Sequence, residues 1–425
     1  MIINIKSSNA HLLDVLYKNP DTDFGLYLKP LRNGVMVGNC VSAHEYEVVF
    51  QDTKHSFVQD DTQLDFQSYC NPNVALNIVS DLFSHLLIDK NMYWSKSISW
   101  LEKTYQDIDN EPVTIVLPNI YMDSRWFKDG VFVLSKYLPQ VTLTQLKTFH
   151  FELKITAESV FEGINLLAIV ACFIDMTNSF RTPFLTEDWY VKYVRIMTNV
   201  PNVPYFVFYL FITRCIRSIQ VFESIKPTME AYFDNKTQFV FTDTHQTRKV
   251  EVFKALGVDL PILDIGCGEM QYYKMFRGKG FKHQYFAVDR EDDVANLVAK
   301  LQAADEKIEF YQDLEAYQHS EKVNIIISEV IEHNTIDETF AFLAKVKTLN
   351  YGTIAITTPN RSFNKHYAMN AEFRRDDHIY EMDSTEFHTL IHHVFGQHKV
   401  EIFGIGDCVN GDYPTQMAIV RKENL

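Results

Sequence analysis

The stretch Pro261-Ile-Leu-Asp-Ile-Gly-Cys-Gly-Glu269 decides the fold of the C-terminal part of the chain. It predicts an apolar strand over Ile262–Ile265 and then a Gly-x-Gly turn, in which glycines let the backbone approach a ligand without an intervening Cβ. Asp264 lies near the end of this strand, where it can order the loop and contact the amino-acid part of a cofactor through water. Asp289 ends the next predicted strand, 21 residues after Gly268. It is placed to accept hydrogen bonds from ribose hydroxyls.

After this loop, short apolar strands alternate with helical patterns. Strand–helix alternation with continuously apolar strands predicts a parallel, doubly wound (Rossmann-like) α/β sheet. Ligands bind beyond the carboxyl ends of the strands in such sheets, so motifs that follow the strands should meet at one edge. The predicted strands are Ile262–Ile265, Gln284–Val288, Lys307–Tyr311, Val323–Ile327, Gly352–Thr357, Lys399–Phe403 and Gln416–Val420. The predicted helices are Asp293–Ala304, Ile331–Lys347 and Ser384–Phe395.

The glycine loop favours one class of cofactor. Met270 and Gln271 stand where a dinucleotide-binding fingerprint has its third glycine. A pyrophosphate needs the close helix approach that this glycine allows, whereas S-adenosylmethionine has no pyrophosphate. The loop therefore favours S-adenosylmethionine over NAD; the alternative is a doubly wound domain whose loop binds nothing. The residues assigned to the cofactor are Asp264, Gly266, Gly268, Asp289 and Ser328.

A second motif, Ser328-Glu-Val-Ile-Glu-His333, directly follows the fourth predicted strand. If a helix begins here, Glu329, Glu332 and His333 lie at positions i, i+3 and i+4 and share one face. Two carboxylates and an imidazole at this spacing can bind one divalent ion. Acidic residues at a solvated helix start, where the helix dipole favours them, produce the same pattern without a metal.

The loop Phe373–Glu381 supplies a further candidate ligand, His378, and it also follows a strand at the carboxyl edge. A set of two glutamates and two histidines suits Mn²⁺, Mg²⁺ or Co²⁺ better than a structural zinc. An octahedral ion with four protein ligands keeps two open positions, which the vicinal hydroxyls of a ribose fit. The candidate catalytic and metal-binding residues are Glu329, Glu332, His333 and His378.

Together these motifs resemble those of the 3′-terminal RNA ribose 2′-O-methyltransferases of the HUA-enhancer type. That family has a DLGCGEG-like loop, an ExxEH helix, a TPNxEYN-like turn and an FRxxDHxFEW-like loop. The corresponding segments here are Asp264–Glu269, Glu329–His333, Thr358–Asn364 and Phe373–Glu381. Thr244–Arg248 resembles the segment that leads into the fold in this family.

The resemblance implies metal-dependent methyl transfer from S-adenosylmethionine to the 2′-hydroxyl of the 3′-terminal nucleotide of RNA. It implies that Glu329, Glu332, His333 and His378 hold the metal. It also implies that Asp264, Gly266, Gly268 and Asp289 line the cofactor site. Met270, Arg375 and Met382-Asp383 depart from the family pattern, but none of these departures removes a metal ligand.

The residues before about 240 contain no acid, histidine or cysteine cluster at ligand spacing. We predict an α+β domain over 1–150, a helical segment over 151–240 and the methyltransferase domain over 241–425. The many aromatic residues of the helical segment indicate core packing, with a base-stacking platform as the alternative. Ile3–Asp21 and Tyr69–Ser80 resemble the non-catalytic half of the bacterial RNA-repair branch of the family. That resemblance implies a polynucleotide kinase–phosphatase–ligase partner, whose ligase this half helps to activate.

Composition limits the other partners. The formal net charge of −15 offers no global attraction to nucleic acid. An RNA 3′ end should therefore be held by a local basic cluster, and no DNA partner is expected. The longest apolar stretches, Leu166–Ile174 and Tyr205–Ile212, are shorter than the ~20 residues of a membrane span and predict buried helices. Six scattered cysteines without a CxxC pair indicate a reducing cytoplasm. The local basic cluster that should hold the RNA 3′ end consists of Arg361, Lys365, Arg374 and Arg375.

Two other functions remain open at this stage. The chain could act mainly as a partner-activating subunit of an RNA ligase, with methylation secondary. It could also be a small-molecule methyltransferase, but the metal cluster would then have no explanation. Truncation near residue 240 distinguishes the first alternative from RNA methylation. An RNA methyltransferase predicts that the C-terminal piece still methylates, whereas a ligase-activating subunit predicts a loss of ligation activity only.

Overall fold

The computed structural model describes residues 1–16, 26–31, 34–51, 53, 69–123, 126–128, 130–178, 187–367 and 372–422. The chain divides into two compact units, Met1–Tyr232 and Phe233–Leu425. Each unit contains its own seven-stranded sheet within the described residues. Residues 17–21 of the N-terminal motif that resembles the RNA-repair branch lie outside the described residues.

The first unit is built on an antiparallel sheet with the strand order β10-β11-β7-β1-β4-β3-β2. Its strands alternate between buried and more exposed positions, as in β1, where Ile3, Ile5 and Ser7 are buried. This alternation is typical of a sheet with one face on a core. The strands of this sheet are β1 (Ile2–Ser7), β2 (Leu26–Leu31), β3 (Gly34–Ser42), β4 (Glu45–Gln51), β7 (Val113–Tyr121), β10 (Val141–Lys147) and β11 (His150–Ala157). Two short hairpins accompany it, β5 (Ser97–Ile98) with β6 (Lys103–Thr104), and β8 (Phe127–Lys128) with β9 (Val131–Phe132).

Helix α5 (Val160–Thr177) is the buried centre of the helices in the first unit. Ser159 caps it by accepting a hydrogen bond from the backbone of Glu162, and the buried carboxylate of Asp109 accepts from the backbone nitrogens of Val160 and Phe161. These acceptors satisfy nitrogens that lack partners inside a helix. The helices are α1 (Leu12–Val15), α2 (Pro72–Leu82), α3 (Lys90–Ser95), α4 (Tyr105–Ile108), α5, α6 (Glu187–Asn199), α7 (Tyr205–Cys215) and α8 (Ile219–Tyr232).

The beginning of the predicted helical segment differs from the structure. Residues 151–157 complete strand β11 rather than starting a helix. The run Phe151–Ala157 alternates buried and outward positions with a period of two, and it pairs with both β7 and β10. This strand pattern was obscured in the sequence by the strongly apolar run that follows it. The helices themselves begin at Val160.

Helix α5 is the one described helix with the length and apolar composition of a membrane span. In the first unit, however, 89% of Val160–Thr177 is buried. Its apolar residues therefore serve as core, as predicted for Leu166–Ile174.

The second unit contains a doubly wound sheet with the order β15-β14-β13-β16-β17-β20-β18. The first five strands in the chain pair in parallel, which confirms the predicted Rossmann-like architecture. The last two differ from the prediction because they run antiparallel, β20 to β17 and β18 to β20. A short connection joins β18 to β20, whereas parallel strands need a longer crossover. The strands are β13 (Ile262–Ile265), β14 (Tyr285–Val288), β15 (Ile308–Tyr311), β16 (Val323–Ser328), β17 (Tyr351–Pro359), β18 (Lys399–Ile405) and β20 (Thr415–Arg421).

Helices pack on both faces of this sheet. One core contains residues of α9, α10 and α11, including Val252, Phe276 and Val298. The other contains residues of α12 and α13, including Leu343 and Phe387. The helices are α9 (Thr244–Leu256), α10 (Gln271–Gly278), α11 (Asp292–Gln302), α12 (Ile336–Thr348) and α13 (Ser384–Phe395), with short 3₁₀ turns at Leu314–Ala316, Ile331–His333 and Arg361–His366.

The second unit begins before residue 241. Strand β12 (Thr237–Gln238) pairs with β19 (Cys408–Val409), and Thr237 and Phe239 are buried. The backbone of Val240 donates to the carboxylate of Asp407 at 2.7 Å. The contacts of residues 233–240 therefore place them with the doubly wound sheet.

Candidate functional site

The glycine loop follows β13, and its geometry requires glycine at two positions. Gly266 has a φ of +77° and Gly268 a φ of +46°, in the region that disfavours residues with a side chain. A Cβ on Gly266 would also lie only 2.4 Å from Cγ2 of Val330. Val330 belongs to the Ser328–His333 motif, so the cofactor loop and the candidate metal motif are in contact. This contact places the two predicted sites side by side at the carboxyl edge of the sheet.

Met270 stands where the sequence pattern of the similar family has a glycine. Its backbone is left-handed, with φ 57° and ψ 35°, and its side chain is fully buried. The glycine of the family pattern thus corresponds to a real conformational demand. In this chain the burial of the methionine side chain offsets the backbone strain.

The two predicted cofactor acids have different environments. Asp264 is buried and accepts a hydrogen bond from the hydroxyl of Tyr285 at 2.5 Å. Burial raises the pKa of Asp264 to about 7, while the Tyr285 hydrogen bond acts in the opposite direction. Asp289 is half-buried, and its Oδ2 accepts a hydrogen bond from the backbone nitrogen of Gly268 at 2.8 Å. Asp289 therefore holds the glycine loop directly.

Ser328 links the two motifs through hydrogen bonds. Its Oγ lies 2.8 Å from the hydroxyl of Tyr272, which belongs to α10 behind the glycine loop. It also lies 2.9 Å from Oγ1 of Thr357 on the neighbouring strand β17. Ser328 is thus fixed between the loop and the sheet edge.

Three of the four candidate metal ligands meet in the structure. Ligand atoms of Glu332, His333 and His378 all lie within 4.8 Å of one another. The two imidazole centroids are 5.0 Å apart, and the rings are perpendicular. Glu332 is fully buried, and its Oε1 has no hydrogen-bond partner among the described residues. A buried carboxylate oxygen without a partner, beside two imidazoles, has the chemistry that a divalent cation requires.

Neighbouring groups orient each of these three ligands. The other oxygen of Glu332 accepts from Oγ1 of Thr358 at 3.0 Å. Nδ1 of His333 lies 3.1 Å from the backbone oxygen of Asp377, and Nδ1 of His378 lies 2.5 Å from Oε1 of Glu381. Both histidines therefore leave Nε2 free to bind a metal, because a ligating imidazole commonly donates its other nitrogen to an oxygen. Burial, followed by the charge of Glu329, raises the pKa of Glu332 well above its usual range.

The predicted start of the helix Ile331–Lys347 is wrong, and no helix begins at Glu329. Glu329 has a left-handed backbone with a φ of 58°, only a single 3₁₀ turn follows at Ile331–His333, and α12 begins at Ile336. The reason lies in a later part of the chain. The backbone oxygen of Glu332 accepts hydrogen bonds from the nitrogens of Ile379 and Tyr380, which brings the His378 loop against this turn.

Glu329 lies outside the group formed by Glu332, His333 and His378. Its Oε2 pairs with Nη1 of Arg248 at 2.7 Å, and its Oε1 accepts from Oγ1 of Thr357 at 3.2 Å. The spacing of i, i+3 and i+4 predicted a shared helical face, but the left-handed residue directs Glu329 into this separate network.

Sequence reasoning missed the supporting residues Thr358 and Glu381. Both stand inside motifs that the sequence singled out, Thr358–Asn364 and Phe373–Glu381. A signal was available for Glu381, because it follows His378 by three residues in a turn. No comparable pattern indicates that Arg248 contacts Glu329, which lies 81 residues later in the chain.

The predicted basic cluster does not form a free phosphate-binding surface. Arg361 pairs with a glutamate of α13 at 2.9 Å, and Lys365 pairs with Asp412 at 2.7 Å. Arg374 donates to side-chain and backbone oxygens of the Asn360–Asn364 turn. Arg375 is exposed. Arg361 and Lys365 lie far along the chain from the acidic residues that pair with them, so the sequence did not reveal these ion pairs.

Comparisons with known proteins give a family-model match and two structural matches over the whole chain. The Hen1 N-terminal domain matches residues 2–234. A chain in a solved structure of the Pnkp1/Rnl/Hen1 RNA repair complex is 42% identical, with a TM-score of 0.90, and the similarity covers 99% of this chain and 100% of that chain. A second structure of the Pnkp1/Rnl/Hen1 complex contains a chain that is 42% identical, with a TM-score of 0.89, covering 100% of both chains. A comparison with curated protein sequences gives no match.

The matched domain spans more than half of the sequence, and the structural similarity extends over nearly all of it. The protein therefore belongs to the Hen1 family.

Proposed function

We propose that this protein transfers a methyl group from S-adenosylmethionine to the 2′-hydroxyl of the 3′-terminal nucleotide of RNA, and that the reaction depends on a divalent metal. The observation that carries this proposal is the contact between Gly266 and Val330. It joins a glycine loop suited to S-adenosylmethionine with a motif that contributes Glu332 and His333 to a candidate metal site. Membership of the Hen1 family and the similarity to a chain of an RNA repair complex support the same activity.

The residues present fit a divalent cation. Glu332 offers a buried oxygen without a described partner, and His333 and His378 offer nitrogens whose rings are already oriented. This mixed oxygen and nitrogen set contains no sulfur, and it suits Mn²⁺, Mg²⁺ or Co²⁺. Glu329 would be the fourth ligand, as the sequence motif predicts. Bound there, the ion would act as a Lewis acid that lowers the pKa of a ribose hydroxyl and orients it.

The chain's own residues would prepare the two substrates. Asp289 would accept hydrogen bonds from the ribose hydroxyls of the cofactor, and Gly266 and Gly268 would let the backbone lie against it. Asp264, which bonds to Tyr285, would keep the loop in shape. The 2′-hydroxyl would give up its proton to solvent, and its oxygen would attack the methyl carbon in line with the sulfur. The carbon–sulfur bond would break, and the sulfur would leave as a neutral thioether. The proposed roles of the protein are thus to align the reactants and to stabilise charge.

The direct test is methyl transfer from labelled S-adenosylmethionine to a short RNA with a free 2′,3′-diol end. Transfer should require Mn²⁺, Mg²⁺ or Co²⁺ and should cease with a chelator. Equal transfer in the chelated enzyme would contradict the metal-dependent mechanism. A small-molecule methyltransferase would leave the RNA unlabelled under every condition.

We also propose that the first unit binds a polynucleotide kinase–phosphatase–ligase. The matched domain, residues 2–234, coincides closely with the unit Met1–Tyr232. The similarity to a chain of the Pnkp1/Rnl/Hen1 complex supports a partner of this kind. The formal net charge of −15 disfavours autonomous RNA binding and therefore favours protein–protein contact.

Co-purification of residues 1–232 with the cognate ligase tests this second proposal. The structure favours a cut between 232 and 233, because a cut at 240 would remove β12 from the second unit. Retention of the ligase on the first unit is the expected result. A first unit that ignores the ligase and binds RNA tightly would instead be a substrate-recruiting domain.

A further inference from the structure

Arg248, on helix α9, is a largely buried cation next to the candidate metal site. Its side chain is 12% exposed, and its Nη1 lies 2.7 Å from Oε2 of Glu329. Its Nη2 lies 2.8 Å from Nδ1 of His245, and its Nε is buried without a described hydrogen-bond partner. Glu329 is therefore the anionic partner that holds this guanidinium in place.

The same network engages the other oxygen of Glu329. Thr357 donates to Oε1 at 3.2 Å, and Thr357 is linked to Ser328, which in turn contacts Tyr272. The Tyr272 hydroxyl also interacts with Arg248. Both oxygens of Glu329 are thus held within a ring of polar side chains, while Oε1 of Glu332 has no described hydrogen-bond partner.

Charge explains why this arrangement needs a cation. Glu329 and Glu332 lie near enough for the charge of one to disfavour ionisation of the other. Two carboxylates in a partly buried site need a positive charge, and either a guanidinium or a divalent ion can supply it. In the structure, Arg248 supplies it to Glu329.

We propose that Arg248 competes with the divalent metal for Glu329. In the structure, Arg248 pairs with Glu329, which lies outside the group formed by Glu332, His333 and His378. A divalent ion held by those three residues would compete with Arg248 for Glu329, which would then be the fourth ligand. Arg248 is thus a positioning residue that weakens metal binding by the free energy of its own ion pair. This inference rests on the proposed metal-dependent function.

The test is Mn²⁺ binding to the full-length protein, measured by calorimetry and by electron paramagnetic resonance of free Mn²⁺. Arg248→Met removes the competing charge and keeps an unbranched apolar stem. We expect it to bind Mn²⁺ at least about fivefold more tightly than the wild type, because the ion pair that it loses is partly buried. The matched control is Arg277→Met, which removes an arginine paired with Asp305 at 2.7 Å and should leave Mn²⁺ affinity unchanged.

A double-mutant cycle keeps the inference testable even if Arg248→Met unfolds. Arg248→Lys retains a positive charge but loses the fork that binds Glu329 and His245, so its Mn²⁺ affinity should lie between those of the wild type and Arg248→Met. In a Glu329→Gln background, the arginine substitutions should no longer strengthen Mn²⁺ binding.

Two results would overturn the inference in distinguishable ways. An Mn²⁺ affinity that is unchanged in the Arg248 variants would show that Arg248 does not compete for Glu329, and a weakened affinity would show that Arg248 supports the metal site instead. A wild-type protein that binds no Mn²⁺ would overturn the proposed metal site as well.

Discussion

Glu381 is fully buried, and its Oε1 accepts a hydrogen bond from Nδ1 of His378 at 2.5 Å. The backbone nitrogen of Arg374 donates to the same oxygen, and Asn364 donates to Oε2. The carboxylate therefore fixes the ring of His378 and connects it to the Thr358–Asn364 turn. Carboxylates behind metal-binding histidines set the tautomer and raise the basicity of the ring. Glu381 is the clearest example here of a residue whose role depends on another side chain.

Replacing Glu381 with glutamine should weaken methyl transfer by about 10- to 100-fold, because His378 would lose its charged acceptor. Binding of S-adenosylmethionine should remain near the wild-type value, since the described hydrogen bonds of Glu381 go to Asn364, Arg374 and His378 rather than to the glycine loop. Calorimetry with the cofactor and an RNA methylation assay measure the two effects. Glu372→Gln, at an exposed position of the same loop, is the control. Equal activity of both variants would remove Glu381 from the site.

Glu332→Ala should abolish methylation while leaving the fold and the cofactor affinity intact. Oε1 of Glu332 has no described hydrogen-bond partner, so the variant loses only the bond from Thr358 to Oε2, at a cost of about 1–3 kcal/mol of unfolding free energy. Calorimetry of S-adenosylmethionine binding, with thermal unfolding alongside, checks this separation. If cofactor affinity is lost together with activity, the cluster is structural. Asp337→Asn, at an exposed position nearby, should behave like the wild type.

The pH dependence of stability should reveal Asp264. Because its folded-state pKa is about 7 and an unfolded aspartate has a pKa near 3.9, the folded protein retains a proton that the unfolded chain releases. The contribution of Asp264 to the free energy of unfolding is therefore present below pH 4 and declines as the pH rises to about 7. The decline amounts to at most about 4 kcal/mol.

Urea unfolding at pH 5 and pH 7.5 measures this decline. Asp264→Asn should remove it, because asparagine has no proton to release. The exposed Asp259→Asn variant should retain it. A wild-type pH dependence in the Asp264→Asn variant would show that other groups cause the decline.

Two glycine substitutions separate backbone strain from steric overlap. Gly268→Ala should cost about 1 kcal/mol of unfolding free energy through its positive φ alone, because a Cβ there meets no atom within 4 Å. Gly266→Ala should cost about 1–3 kcal/mol more, since its Cβ overlaps Val330. Adding Val330→Ala should recover part of this second cost. Chemical denaturation measures the unfolding free energy of each variant. If both glycine variants are equally stable, the close contact between the loop and Val330 is not present in solution.

Local patterns predicted much of the second unit. The strand before Gly266 and the helix Ser384–Phe395 match the structure. A run of apolar residues and an apolar period of 3.6 residues are both visible in a short stretch of sequence. The positions of Asp264, Asp289 and Ser328 followed from the rule that the carboxyl ends of parallel strands lie at one edge of the sheet. The meeting of Glu332 and His333 with His378 was also expected, since both motifs follow parallel strands.

Long-range contacts explain what the sequence did not predict. A period of i, i+3 and i+4 cannot reveal that the His378 loop binds the backbone of Glu332 and keeps this turn from becoming a helix. It also cannot reveal that Arg248 holds Glu329, or that Lys365 is neutralised by Asp412. Each of these pairs is far apart in sequence, and a charge pattern shows only the neighbours along the chain.

The most direct measurement compares three RNA ends in one methylation assay with Mn²⁺ and S-adenosylmethionine. The RNAs share one sequence and end in a 2′,3′-diol, a 2′-deoxy sugar or a 3′-phosphate. The proposed function predicts transfer to the diol end alone, because the deoxy sugar lacks the acceptor oxygen and the phosphate blocks the adjacent metal position. Methylation of either modified end at the rate of the diol end would contradict it.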